Sequence, residues 1–381
     1  MYSNMKPSGM LRIFQAAQAN PDVVNLGEGE PDFHTEHDIV DAAAAAAKAG
    51  YTHYSPIMGF LDVRKAVCDY WQRRHDLVST PDEVMMMAGG IQSVHLALQA
   101  LLNVGDEVIT PTPCFTPYFE QISPHHGVAI PVPTTEDTGF VPTAEAIERA
   151  ITPRSKVLLI CSPSNPTGRV MTLERMTQIA AVADRHDLFV LSDEIYDTLV
   201  YKGKHIPFAT LPGMKSRTLT MGGLSKSHCM TGWRIGYAIG PADLVRLMAL
   251  IGANQTYGVN APTQRAAIHA LNTHDAKTEE RAAIFKERLT YVAGRLNAMS
   301  GIHCAAPEGA FYLFPSIQKT GLTSEQFAWG LLEQGRVATL PGSAFGDSGE
   351  GYIRIACTRS KHDLEEAMNR MEKYVRTLRV A

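Results

Sequence analysis

Short runs rich in β-branched and apolar residues punctuate the chain from Glu83 onward: Glu83 to Ala88, Glu107 to Thr110, Val128 to Val132, Lys156 to Cys161, Leu188 to Leu191, Thr218 to Met221 and Arg234 to Ile239. Several are apolar at consecutive positions rather than alternate ones, the pattern of strands buried on both faces. Between two of them Leu173, Met176, Ile179, Ala180 and Ala183 recur at helical spacing and give one buried stripe. Strands alternating with helices predict a mainly parallel, seven-stranded sheet covered by helices.

Past residue 275 the rhythm changes. A long charged helix spans Lys277 to Met299, short strands follow, and a helix runs from Thr323 to Gln334. Thr323 with Gln326 has capping-box spacing, and Gly335 is expected to supply the stop. Ser360 and Asp363 repeat that spacing before a helix carrying Leu364, Met368, Met371 and Val375 on one face. These elements read as a smaller α+β domain. The first forty residues contain too little periodic structure to fold alone, although Ile39 to Lys48 reads as a helix from its alanines. The expected division is residues 49–275 for a large α/β domain, with residues 1–48 and 276–381 building the small one.

Composition narrows the class. With 45% hydrophobic and 19% charged residues the chain is ordinary globular protein, and 35 basic against 39 acidic residues leave a net charge of -4 without a long block of either sign. No nucleic-acid partner is expected. The six cysteines are scattered, without a CxxC pair, as reduced thiols of a cytoplasmic protein would be. Neither a leader nor an apolar stretch of membrane-spanning length is seen, so no membrane partner is expected.

Several motifs fail on inspection. Gly27-Glu28-Gly29-Glu30-Pro31-Asp32 lacks the third glycine of a dinucleotide fingerprint. Gly222 to Ser227 has serine where a P-loop needs glycine before the lysine. Gly346-Asp347-Ser348-Gly349 misses the nucleophile-elbow spacing. No HExxH helix is present, and His125-His126 sits in a proline-flanked loop with no ligand partner in view. Metal catalysis and serine hydrolysis are therefore not expected.

The informative segment is Ser225-Lys226-Ser227-His228-Cys229-Met230-Thr231-Gly232-Trp233-Arg234-Ile235-Gly236-Tyr237. A lysine on a short turn, desolvated and near another cation, has a lowered pKa and can form an imine with an aldehyde. Arg234, at the start of an expected strand, offers a guanidinium fork suited to phosphate. Together they describe a pyridoxal phosphate site. The segment closely resembles the lysine motif of class I aminotransferases, fold type I of the pyridoxal phosphate enzymes, and the resemblance covers almost the whole chain in order.

That resemblance implies roles position by position. Asn165-Pro166-Thr167-Gly168 resembles the family turn whose asparagine bonds the cofactor's 3-oxygen. Ser192-Asp193-Glu194-Ile195-Tyr196 implies that Asp193 pairs with the pyridine nitrogen and Tyr196 with the 3-oxygen. A carboxylate there keeps the ring protonated and hence a strong electron sink. Ala88-Gly89-Gly90-Ile91-Gln92 lies between a strand and a helix, which makes Gly90, Ile91 and Gln92 phosphate candidates at a helix N-terminus, with Ser225 beside them. Phe115 matches the aromatic residue that stacks on the cofactor. Gly29 and Arg354 match positions that bind the substrate carboxylate, with Asn165 alongside, and Arg354 in an apolar strand would be costly to bury without an anion. Tyr54, within Tyr51-Thr52-His53-Tyr54-Ser55-Pro56, matches a tyrosine that reaches the phosphate of the neighbouring subunit, which implies a homodimer with shared sites.

The sequence departs from the family in places. Gly223 stands where many relatives carry a phosphate-binding serine, and His34 and Ser93 occupy places where other residues are frequent. No arginine or lysine is found for a second substrate carboxylate, which weighs against aspartate specificity. The implied activity is transfer of an amino group from an L-amino acid to a 2-oxo acid by a ping-pong route through a Lys226 imine. The alternatives on the same site are an oxygen-using oxidase or hydroxylase, a β-lyase or a racemase; a non-catalytic regulatory module is the third class.

Overall fold

The computed structural model describes residues 9–378. Strand β1 (Val24–Asn25) comes first, followed by β2 (Val84–Met87), β3 (Glu107–Thr112), β4 (Val128–Pro133), β5 (Ser155–Cys161), β6 (Phe189–Asp193), β7 (Thr218–Gly223) and β8 (Gly236–Ile239). The seven runs read from the sequence are strands β2 to β8, and they form one sheet in the order β2-β8-β7-β6-β5-β3-β4. Only β8 runs against its neighbours. The remaining pairs are parallel, so β2, β3, β5, β6 and β7 end at the same edge.

Consecutive apolar residues in these strands are explained by packing on both sheet faces. Successive side chains point to opposite faces. In β5, Val157 and Leu159 join a cluster with Met87, Leu98 and Leu191, whereas Leu158 and Ile160 join Ile179, Val182 and Val190. Ile179 and Val182 belong to the helix Leu173–Arg185, capped by Thr172, whose side chain accepts from Arg175 N.

The second body holds β9 (Tyr312–Leu313), β10 (Val337–Ala338), β11 (Leu340–Pro341) and β12 (Ile353–Ala356). β12 lies between β11 and β9 in an antiparallel sheet, and β10 pairs in parallel with β1 from the other end of the chain. Leu289, Val292 and Leu296 of the helix Asp275–Asn297 pack there with Phe327, Ile353, Leu364, Met368 and Met371. The capping box of Thr323 with Gln326 forms as expected, and the Ser360 side chain accepts from Asp363 N.

Residues 9–18 are helical, although the sequence shows little period there, and Ile13 and Ala17 bury against Leu332, Leu340 and Phe345 far along the chain. Two local expectations are corrected. The helix that ends at Gly335 stops in a left-handed residue, but that residue is Arg336, with φ 55°. Arg234 is not in a strand: it occupies a left-handed turn at φ 53°, two residues before β8. Residues near the N-terminus also divide between the bodies. Leu26 joins the small cluster, while Ile39 and Ala43 of the helix His37–Lys48 pack with Val63, Trp71 and Ala266 beside the large sheet.

Candidate active site

A parallel sheet presents its strand carboxyl ends, and the loops that follow them, as a natural ligand edge. At that edge a cavity of about 400 Å³ is lined by Gly29, Gly90, Ile91, Phe115, Asn165, Asp193, Tyr196, Ser225, Lys226, Arg234 and Arg354. Residues separated by more than three hundred positions in sequence therefore share one space. Gly29 and Arg354 come from the small body, on the loop after β1 and on β12; the others follow the ends of large-sheet strands.

Lys226 is three residues past β7, and its Nζ donates to Gly29 O at 2.7 Å. Burial is the main reason its pKa falls, to about 8; Arg354 and Arg234 push the same way, against Glu30 and Asp193. A buried amine beside guanidinium groups is available in its neutral, nucleophilic form close to neutral pH.

Asp193 closes β6. Its Oδ2 accepts from Tyr118 Oη at 2.6 Å and its Oδ1 from Ile195 N at 3.2 Å. Burial raises its pKa, and the Tyr118 bond is the largest opposing influence. Tyr196 is buried, with its hydroxyl 2.9 Å from that of Tyr312. Arg354 is 3% exposed; Nη1 donates to Asn165 Oδ1 at 2.8 Å and Nη2 to Gly27 O at 2.5 Å. Its Nε is buried and has no hydrogen-bond partner among the described residues. The Tyr312 and Phe345 rings lie 4.5 and 4.9 Å from the guanidinium carbon and hold its plane.

At the other end of the cavity, Gly89 caps the helix Gly90–Leu101 at φ 84°. A Cβ on Gly89 would come within 2.7 Å of Arg234 Nη2, so only glycine lets the guanidinium and the helix N-terminus converge. The left-handed backbone of Arg234 carries a cost of about 1–2 kcal/mol, and the turn it makes sets the guanidinium against the helix N-terminus. Gly223 has a similar steric explanation. A Cβ there would lie 2.9 Å from Ile195 Cδ1 and 3.2 Å from Gly236 Cα, so a serine would have to displace the Ile195 tip and press on the β8 backbone.

Some candidates are placed elsewhere. The Gln92 side chain accepts from Ala88 N at 2.7 Å and ties the loop to the helix instead of lining the cavity. Tyr54 is 82% exposed, 4.8 Å from the Tyr257 ring and outside the cavity of its own chain. His34 is exposed in an outer depression with Thr231 and Trp233, and Ser93 is fully buried, its hydroxyl without a partner among the described residues. His125, which had no partner in the sequence, meets His95 at 3.1 Å. Tyr118 and Tyr312 were not singled out from sequence. Tyr118 lies three residues after Phe115, but a lone aromatic beside a strand looks like core.

These groups fit pyridoxal phosphate. Asp193 takes its hydrogen bonds from Tyr118 and Ile195 rather than from a cation, and a protonated ring nitrogen would supply the missing charge. The amine of Lys226 suits an aldehyde, and the glycine-lined helix N-terminus with Arg234 suits a phosphate.

Comparison with known proteins agrees. The family model for aminotransferase class I and II matches residues 21–371. The chain is similar to the aspartate aminotransferase of Pyrococcus abyssi, 38% identical over 98% of this chain and 96% of that protein. It is equally similar to aromatic-amino-acid aminotransferase 2 of Thermococcus litoralis, 38% identical over 98% of this chain and 96% of that one. The crystal structure of the aspartate aminotransferase from Rhizobium meliloti superposes with a TM-score of 0.95 at 37% identity, covering 99% of this chain and 98% of that chain. The chain belongs to the class I and II aminotransferases, pyridoxal phosphate enzymes that move an amino group from an amino acid to a 2-oxo acid.

Proposed function

We propose that Lys226 is the residue that carries the cofactor and moves the substrate's α-proton, in a transamination of ping-pong form. The observation that carries this reading is the lysine amine itself, lowered to about 8 and held 2.7 Å from Gly29 O in the cavity that also contains Asp193 and Arg354. When bound, pyridoxal phosphate supplies an electron sink for the pair left at the α-carbon. Asp193, steadied by Tyr118, holds a proton on the ring nitrogen. Asn165 and Tyr196 would bond the ring oxygen, and Phe115 would pack against the ring.

The phosphate is held by backbone groups of Gly90, Ile91 and Gln92, the Ser225 hydroxyl and the Arg234 fork. Arg354 binds the substrate carboxylate, with Gly29 and Asn165 beside it; its unpartnered Nε and in-plane Nη groups suit a bidentate anion. Neutral Lys226 Nζ would take the α-proton and return it to the carbon of the cofactor's former aldehyde group, two bonds away across the nitrogen, as a general base with a pKa near neutrality can.

The side-chain end of the substrate is apolar or aromatic in this reading. Among the described residues the cavity lining contains three cations, Lys226, Arg234 and Arg354, each with a role above. The rest of the wall includes Phe14, Ile91, Val94 and Phe115, with Glu28 and Glu30 at its polar side, and these acidic groups disfavour a second carboxylate. Of the relatives named above, one is named for aromatic amino acids and two for aspartate, so the choice rests on the lining of the cavity.

A homodimer with shared sites is supported by exposed aromatic groups at Tyr51, Tyr54 and Tyr257, with Tyr54 reaching the partner's phosphate. A cytoplasmic location is supported by six cysteines free of disulfides. The two bodies are proposed as domains, with the helix His37–Lys48 on the large one because Ile39 and Ala43 bury there.

Initial rates at varied amino donor and 2-oxo acid test the central reading. Parallel double-reciprocal lines are expected, and lines that intersect would overturn it. For the substrate class, kcat/KM for phenylalanine or leucine should exceed that for aspartate; a preference for aspartate would reject that part.

A further inference from the structure

Away from the cavity, the first turn of the helix His37–Lys48 meets the end of the helix Ala261–Thr273 through Asp38, His269 and His274. Asp38 Oδ2 lies 2.9 Å from His269 Nε2, and Oδ1 lies 3.1 Å from His274 Nε2. The ligand-capable atoms of all three side chains fall within 4.8 Å of one another. Asp38 is 56% exposed along its side chain, His269 35% and His274 7%, so one side of the group is open to solvent and the other is packed.

A neighbouring hydroxyl orients the buried ring. Thr273 Oγ1 donates its single proton to His269 O at 2.7 Å. Toward His274 Nδ1, 2.8 Å away, the same oxygen therefore acts as acceptor, and Nδ1 bears the hydrogen. Nε2 of the same ring faces the Asp38 carboxylate at 3.1 Å from a packed position, and Ile39 N donates to the same Oδ1 at 3.0 Å, so carboxylate and imidazole are held facing one another.

We infer that Asp38, His269 and His274 form a binding site for one borderline divalent transition ion of the zinc or cobalt class. Two imidazole nitrogens and a carboxylate suit such an ion, whereas calcium and magnesium prefer all-oxygen sets. Three protein ligands with an open side leave the fourth position to water. Tetrahedral zinc with bonds of about 2.0–2.1 Å sets its ligand atoms about 3.4 Å apart, so the side chains close on the ion through small rotations. The Thr273 to His274 bond is the kind of outer contact that orients a metal-binding histidine.

The role is structural. The ion would pin the helix His37–Lys48 to the large body, and the chain leading into that helix carries Gly29 and Glu30 of the cavity.

The test uses chelator-stripped protein loaded with pyridoxal phosphate, titrated with Zn²⁺ by calorimetry and with Co²⁺ by visible absorption. One ion per chain, micromolar or tighter, is expected, with tetrahedral cobalt bands and a higher melting temperature. His269→Ala alters a partly exposed side chain and should weaken binding by about 100-fold while the protein stays folded. Asp38→Asn should do the same. Absence of binding overturns the inference, as does binding that His269→Ala and Asp38→Asn both leave unchanged.

Discussion

Tyr118 Oη donates to Asp193 Oδ2 at 2.6 Å and links the segment after β3 to the carboxylate that ends β6. Of the influences on Asp193, this bond is the largest that favours its charged form. The proposed task of Asp193 is to hold a positive ring nitrogen, so the tyrosine acts on the chemistry through its neighbour.

Tyr118→Phe is accordingly expected to slow α-proton removal by about 10- to 100-fold, the equivalent of about 1.5–3 kcal/mol for a hydrogen bond to a charged group. Single-turnover rates with α-deuterated substrate measure this, and the isotope effect should grow in the variant. Asp193→Ala should be slower still. An unchanged rate in Tyr118→Phe would remove the tyrosine from this role.

Lys226 gives a pH signature. Its amine, lowered to about 8, becomes neutral as pH rises through that value, so cofactor uptake by the apo-protein should accelerate up to about pH 8 and then level off. Uptake that keeps rising toward pH 10 would place the amine in ordinary solvent.

Stability should move with the same group. The folded-state pKa lies below the ordinary 10.5, so between about 8 and 10.5 the unfolded chain binds more protons than the folded one. Folding therefore gains stability from this residue as pH rises through that window. Below it, the buried ammonium costs the apo-protein about 3 kcal/mol. Lys226→Met should recover a sizeable part of that at pH 7 and flatten the rise, as read by denaturant midpoints.

For Arg354→Ala the expected loss is in substrate binding. Removing one partner of a buried charged contact costs about 2–5 kcal/mol, so kcat/KM should fall by about 30-fold or more. Lysine at this position cannot reproduce the fork, and Arg354→Lys should recover only part of the loss. Equal kcat/KM in Arg354→Lys and the parent would argue against bidentate binding.

Gly223→Ser tests the departure from the family. Its Cβ would press on Ile195 Cδ1 and Gly236 Cα, so the serine should destabilise by about 1–3 kcal/mol and leave cofactor affinity no better. Tighter cofactor binding in a stable variant would contradict the steric account.

The large sheet was legible because most of its strands are short runs buried on both faces that alternate with helical segments. Their direction was less so: nothing in the residues of Gly236–Ile239 marks that strand as the antiparallel one. The helix over residues 9–18 escaped notice because Ile13 and Ala17 find their partners at Leu332, Leu340 and Phe345, which a local window never sees. The main candidates, Lys226, Asp193, Asn165, Arg234 and Arg354, were visible through motif resemblance, and the cavity brings them together. Tyr118 and Tyr312 were hidden, since their roles lie in a hydroxyl direction that only the fold defines. Gln92 reads as a site residue from its loop, yet its side chain is taken up by Ala88 N.

The most direct measurement is borohydride reduction of the protein loaded with pyridoxal phosphate, followed by peptide mass analysis. The account predicts loss of the visible cofactor band and a pyridoxyl mass on the peptide containing Lys226, with none in Lys226→Ala. An unmodified Lys226 peptide, or the label on another lysine, would contradict it.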